Sequence, residues 1–144
     1  MGKRKTILVV DDISLMRVML VKYVKSLGLK ILQEELGVSS IQVVEAENGR
    51  EALEQLEKHP VDVVFLDLMM PEMNGLAFLA AKQKEPRFAG IPVIVCSALG
   101  EKETVERARD LGACAYIMKP FTLKSVAEKY REALLLEKER EAAT

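Results

Sequence analysis

Short apolar runs punctuate this chain, each followed by a longer stretch whose apolar residues recur at helical spacing. The runs are Thr6–Val10 (TILVV), Ile41–Val44, Val61–Leu66 broken only by Asp62, Ile91–Cys96 (IPVIVC) and Ala115–Met118. A short, β-branched run with no polar alternation reads as a strand buried on both faces, as in a parallel sheet. Between the runs, Ser14 can cap a helix in which Met16, Leu20, Tyr23, Val24, Leu27 and Ile31 keep one phase. Gly28 and Gly37 both read as helix stops, so either a break at Gly28 gives two helices or one helix runs to about Leu36. The phase carries through Gly28 and favours the single helix. Asn48-Gly49 starts a second helix reaching about Lys58, with Ala52, Leu53 and Leu56 inward. Asn74-Gly75 is an N-cap for Leu76–Lys84, which Glu85-Pro86 closes. Lys102–Leu111 is helical and Gly112 fits its C-terminal cap. A last helix begins near Thr122, carries Leu123, Val126, Ala127, Tyr130, Ala133 and Leu134 on one face, and runs into the charged EKEREAA.

Strand and helix therefore alternate five times. That order predicts an α/β fold, a doubly wound five-stranded parallel sheet with helices on both faces and right-handed crossovers. No linker or repeat divides the 144 residues, so we expect a single domain with a core of about residues 5–131 and a C-terminal helix extending over about 132–142. With 49% hydrophobic residues, a chain of this length folds without disulfides or a structural metal. The net charge of −1, with Lys3-Arg4-Lys5 the only basic run, gives no footprint for nucleic acid. Cys96 and Cys114 form no disulfide framework and read as packed small hydrophobes; the lone His59, before Pro60, reads as a solvated loop residue. No apolar run approaches the roughly 18 residues of a membrane span, and the first residues show no signal-peptide pattern, so none is expected. A reducing, cytoplasmic setting is the expectation.

Chemistry concentrates at the C-terminal ends of the strands, where open α/β sheets bind ligands. Asp11 and Asp12 follow the first strand, Asp67 the third, Ser97 the fourth and Lys119 the fifth. In strand order 2-1-3-4-5 these side chains can converge. Carboxylates about 5 Å apart repel by roughly 3 kcal/mol per pair at an effective dielectric near 20, which a divalent cation and a lysine would relieve. Mg²⁺ suits an all-oxygen site. A carboxylate beside Mg²⁺ and an ammonium group is equipped to attack phosphorus, with the Ser97 hydroxyl holding a phosphoryl oxygen.

Taken together, DD after the first strand, DLMMPEMNG around the third, SA after the fourth and YIMKPF at the fifth resemble the CheY-like receiver domain of two-component response regulators over about Lys5 to Arg131. The resemblance implies that Asp67 accepts a phosphoryl group from a histidine kinase or a histidine phosphotransfer protein. It implies that Asp11, Asp12, Asp67 and the Met69 carbonyl hold Mg²⁺, and that Ser97 and Lys119 bind the phosphoryl group. It further implies that Tyr116 turns inward when Ser97 moves, that Lys119-Pro120 is cis, and that a protein target docks on the fourth helix, fifth strand and fifth helix, from Glu101 to about Lys129. Two departures stand out. The segment before the second strand is about ten residues longer than expected of the family, and the last helix overruns the domain; either could form a partner or homodimer surface. Apolar Met69 and Leu99 flank the site, which leads us to expect a long-lived acyl phosphate.

Two other functions fit parts of the pattern. A phosphatase of the haloacid dehalogenase kind also uses an aspartyl nucleophile with Mg²⁺, but carries a second Asp two residues later, where this chain has Met69. A flavodoxin-like FMN carrier needs a hydroxyl-rich loop after the first strand, where this chain has DDIS. The expectation is therefore a stand-alone switch and not a turnover enzyme, with no output domain following within these residues.

Overall fold

The computed structural model describes residues 3–98 and 100–142, with the backbone alone at 3, 27–33, 35–36, 137–138 and 140–142. The chain runs β1 (Lys3–Val10), α1 (Ser14–Leu36), β2 (Val38–Ala46), α2 (Gly49–Lys58), β3 (Val63–Leu66), α3 (Gly75–Lys84), α4 (Pro86–Ala89), β4 (Val93–Ser97), α5 (Lys102–Asp110), β5 (Ala115–Met118) and α6 (Leu123–Ala142). All five strands pair in parallel in the order β2-β1-β3-β4-β5. This is the doubly wound α/β sheet that the alternation predicts.

Strand parity explains why the runs are apolar throughout. Ile7, Val9, Val63, Phe65, Ile94 and Cys96 face one layer, where Leu20 and Val24 of α1 and Val126, Tyr130, Ala133 and Leu134 of α6 complete a core. Their neighbours Leu8, Val10, Val64, Leu66, Val93 and Val95 face the other, packing on Ala52, Leu56, Phe78, Leu79 and Ala108 of α2, α3 and α5. With helices on both sides, neither parity can be polar.

Local signals set the helix ends. Asn48 and Asn74 each accept a hydrogen bond at 2.9 Å, from the amides of Glu51 and Ala77. Thr122 and Ser125 cap the start of α6 reciprocally, each side-chain oxygen accepting the other's amide at 3.0 Å. Gly37 ends α1 with φ +67°, so the chain runs as one helix through Gly28, while the side chains of Leu27 and Ile31 lie outside the described residues. After α5, Gly112 adopts φ +102°; its amide bonds the Arg109 carbonyl and the Ala113 amide bonds that of Ala108. That is a Schellman closure, which needs the left-handed residue glycine supplies cheaply.

The fold corrects several details. A short sixth helix, α4, starts where Glu85-Pro86 was expected to end helical structure: Glu85 caps the Arg87 amide at 3.3 Å, Pro86 occupies the first turn, and Phe88 is buried. The predicted fourth and fifth helices are thus α5 and α6. Strands β1 and β2 are longer than their apolar runs because the ladder begins at Lys3 and Val38. Lys5 is buried there, 3.9 Å from Asp62, and the Thr6 amide donates to Asp62 at 2.8 Å, so charge reads as strand only once its partner is in place. Leu123 is 43% exposed, and Phe121 packs inward instead, edge-on to Tyr23. Cys96 is buried as expected, but Cys114 is exposed. Among the described residues, no helix is long and apolar enough to cross a membrane.

Candidate functional site

The sheet register brings the acidic residues together. Val10 pairs with Leu66, so Asp11 and Asp67 emerge side by side one residue later. The ladder continues into them, with the Asp67 amide bonding the Val10 carbonyl at 2.9 Å and the Asp11 amide bonding the Ala46 carbonyl at 3.1 Å. One carboxylate oxygen from each of Asp11, Asp12 and Asp67 lies within 4.8 Å of the other two. Asp11 and Asp67 are buried, whereas Asp12 faces solvent.

Lys119 reaches this group from the far edge of the sheet. Its ammonium lies 2.7 Å from Asp11 Oδ2 and 3.5 Å from Asp67 Oδ2. The Lys119 amide donates to the Ser97 carbonyl at 2.9 Å, and the Lys119-Pro120 peptide is cis. The ammonium is half-buried, and loss of solvent alone would depress its pKa; the hydrogen bond and charge of Asp11, with Asp67, outweigh this and raise it. For Asp67, burial is the largest influence and raises its pKa. Asp11's charge adds to the rise, and Lys119 and the Met69 amide oppose it without cancelling it.

The loop after β3 is held against two neighbours. The Gly75 amide bonds the Leu68 carbonyl at 3.0 Å and the Gly49 amide bonds that of Met73 at 2.8 Å. A β-carbon at Gly75 would collide with the Asp67 carbonyl oxygen and sit 2.8 Å from Leu68 Cα, so only glycine lets α3 start this close to Asp67. Glu72 takes φ +62° and is held by Arg50 at 3.2 Å. Met69 is 62% exposed at the rim of an open cleft that Asp12, Asp67, Ser97 and Lys119 also line. Leu99, the other expected flanking residue, lies outside the described residues. Ser97 is fully buried, and its hydroxyl shares a hydrogen bond with half-buried Tyr116, whose phenol burial pushes up in pKa.

All the candidate side chains thus meet at one pole. Their donor set is oxygen only, with no imidazole or thiolate, which favours Mg²⁺ over zinc. Ligand oxygens on opposite sides of an octahedral Mg²⁺ lie about 4.2 Å apart, so oxygens spread over 4.8 Å need to draw in only slightly. Sequence reading missed Arg17, which donates to the Asp11 carbonyl at 2.7 Å. Its signal was faint: an arginine between the inward Met16 and Leu20, on a helix otherwise read only for apolar phase.

Comparison with known proteins points the same way. A family model described as the response regulator receiver domain matches residues 7–131. The chemotaxis protein CheY of Thermotoga maritima is 38% identical over 128 residues, covering 89% of this chain and 94% of that protein. The chemotaxis protein CheY of Bacillus subtilis is 35% identical over 128 residues, covering 89% and 96%. Among solved structures, a CheY-like response regulator receiver domain protein from Methanospirillum hungatei superposes with a TM-score of 0.76 at 25% identity, covering 96% of this chain and 99% of that one.

Proposed function

We propose, for a chain that belongs to the response regulator receiver domain family, that Asp67 accepts a phosphoryl group and that the resulting charge switches a protein-binding surface. The observation that carries this reading is a nearly buried carboxylate, Asp67, beside two further aspartates and 3.5 Å from a lysine ammonium.

In the proposed step an Asp67 oxygen attacks the phosphorus of a phosphohistidine on a kinase or phosphotransfer protein. A P–O bond forms as the P–N bond breaks, and the imidazole leaves and takes up a proton. Asp11, Asp12, Asp67 and the Met69 carbonyl would hold Mg²⁺, which when bound neutralises phosphoryl charge. Lys119 is placed to move its ammonium from Asp11 to a phosphoryl oxygen, and the Ser97 hydroxyl supplies a second donor. Met69 stands where a turnover phosphatase carries its general acid, so the acyl phosphate is the product that signals and not an intermediate of turnover. Exposed Met69 presents no polar group to orient an attacking water, so hydrolysis slower in wild type than in a Met69→Asn variant is expected.

The readout lies in the Ser97–Tyr116 hydrogen bond. When Ser97 turns to the phosphoryl group it gives up Tyr116, and the phenol ring on β5 repositions. Tyr116 also lines a cavity of about 290 Å³ with Val105 and Arg109 of α5 and Lys129 of α6, so that motion reaches the α5-β5-α6 face where a protein target would dock. The same reading places the protein in the cytoplasm, where histidine kinases present their phosphohistidine.

Incubation with acetyl phosphate and Mg²⁺, followed by intact mass and elution volume, tests this. Wild type should gain one phosphoryl group and Asp67→Asn none. Phosphorylation of Asp67→Asn to the same extent, or of neither protein, would overturn the assignment. A shift in elution volume would report a phosphorylation-dependent homodimer.

A further inference from the structure

We propose that Arg17 is a positioning residue that orients the Mg²⁺-binding loop, an inference that rests on the phosphoryl-accepting function above. Arg17 lies in the first turn of α1 with its side chain only 13% exposed. Its guanidinium spans acceptors from two separate segments. Nη1 donates to the Asp11 carbonyl at 2.7 Å, Nε donates to Glu45 Oε1 at 3.0 Å, and Nη2 lies 3.5 Å from Glu47 Oε1. Glu45 sits at the end of β2 and Glu47 just beyond it.

The Asp11 carbonyl belongs to the single peptide unit that joins the two proposed metal-binding aspartates. Rotating that unit would re-aim both carboxylates at once. Asp11 has other restraints, because its carboxylate accepts from the Ile13 amide at 2.9 Å and pairs with Lys119. Asp12 does not. Among the described residues its exposed carboxylate has no hydrogen bond or ion pair, so its aim depends on the backbone that Arg17 holds. The planar fork of arginine can bond a carbonyl and two carboxylates together, which a lysine cannot reproduce. Glu45 and Glu47 also neutralise the guanidinium, so it braces the loop without acting as a rival cation in the pocket.

Direct Mg²⁺ binding to the unphosphorylated full chain, measured by titration calorimetry, separates this role from a general contribution to stability. Arg17→Met should bind Mg²⁺ about tenfold more weakly, as loss of an outer-shell partner typically does, with Arg17→Lys about threefold weaker as a partial rescue. Amide exchange at Asp12 and Ile13 should accelerate in Arg17→Met. The Glu45→Gln/Glu47→Gln double variant, which leaves both aspartates and Arg17 in place, should lose about two- to threefold by loosening the same brace. If wild type itself binds no Mg²⁺, the proposed function fails and this inference with it. If wild type binds but folded Arg17→Met matches it within twofold, the inference alone is overturned. Should Arg17→Met fail to fold, the double variant decides, and unchanged affinity there overturns the role.

Discussion

Replacing Asp67 with Asn should make the metal-free protein more stable, although it removes the proposed nucleophile. Asp11, whose oxygen lies within 4.8 Å, repels Asp67 by about 3.5 kcal/mol at an effective dielectric near 20. Asp12 faces water, where the same separation is worth about 1 kcal/mol. Lys119 at 3.5 Å attracts Asp67 by about 4.7 kcal/mol on the same scale. The charge interactions nearly cancel, so the loss of solvent around the buried carboxylate decides the sign and raises its pKa. A carboxyl group with a folded pKa above its unfolded value stabilises the fold while protonated and loses that contribution as pH rises through the folded pKa. At neutral pH, Asp67→Asn should therefore gain about 1–2 kcal/mol, or roughly 3–8 °C in Tm for a domain of this size. Thermal and urea denaturation in chelator would measure it. The advantage should shrink as pH falls and vanish below 3.8, the ordinary carboxylate value, where wild-type Asp67 is protonated in both states. Mg²⁺ at about ten times its Kd should raise wild type by about 1.4 kcal/mol and close the gap. An Asp67→Asn protein no more stable than wild type at neutral pH without metal would refute the reasoning, because it would mean that the burial cost is fully met by hydrogen bonds.

Lys119→Met leaves Asp11 and Asp67 facing each other without a cation; we expect a loss of about 2–3 kcal/mol by urea denaturation and phosphoryl uptake from acetyl phosphate slowed at least about a hundredfold. Gly75→Ala puts a methyl group into the Asp67 backbone, which cannot yield like a side chain; about 2 kcal/mol of stability should be lost, with phosphorylation slowed in the folded fraction. The Tyr130 hydroxyl is fully buried and has no hydrogen-bond partner among the described residues, while its ring packs edge-on against Phe65. Tyr130→Phe should therefore leave stability unchanged or raise it by up to about 1 kcal/mol, and a loss larger than that would show that a buried water serves the hydroxyl.

The apolar pattern was enough to read the sheet. Five runs apolar in both parities could be satisfied only by helices on both faces, and the caps at Asn48, Asn74, Gly112 and Thr122 work through neighbours a few residues away. Chain order likewise placed Asp11, Asp12, Asp67, Ser97 and Lys119 at strand ends, because every strand of a parallel sheet points its C-terminus to the same edge. What local sequence could not reveal were features whose partners lie far along the chain. Lys3–Lys5 read only as a basic run ahead of the first strand until β2 paired with it and Asp62 met Lys5. Phe121 took the inward place that helical phase had assigned to Leu123, because Tyr23 of α1 packs there. Arg17 read as one more helix residue until folding set the exit of β2 beside it. The sheet follows from solvent exclusion acting on short stretches, whereas the distances that assemble the acidic pocket, such as 2.7 Å from Lys119 to Asp11 across 108 residues, exist only after the elements have packed.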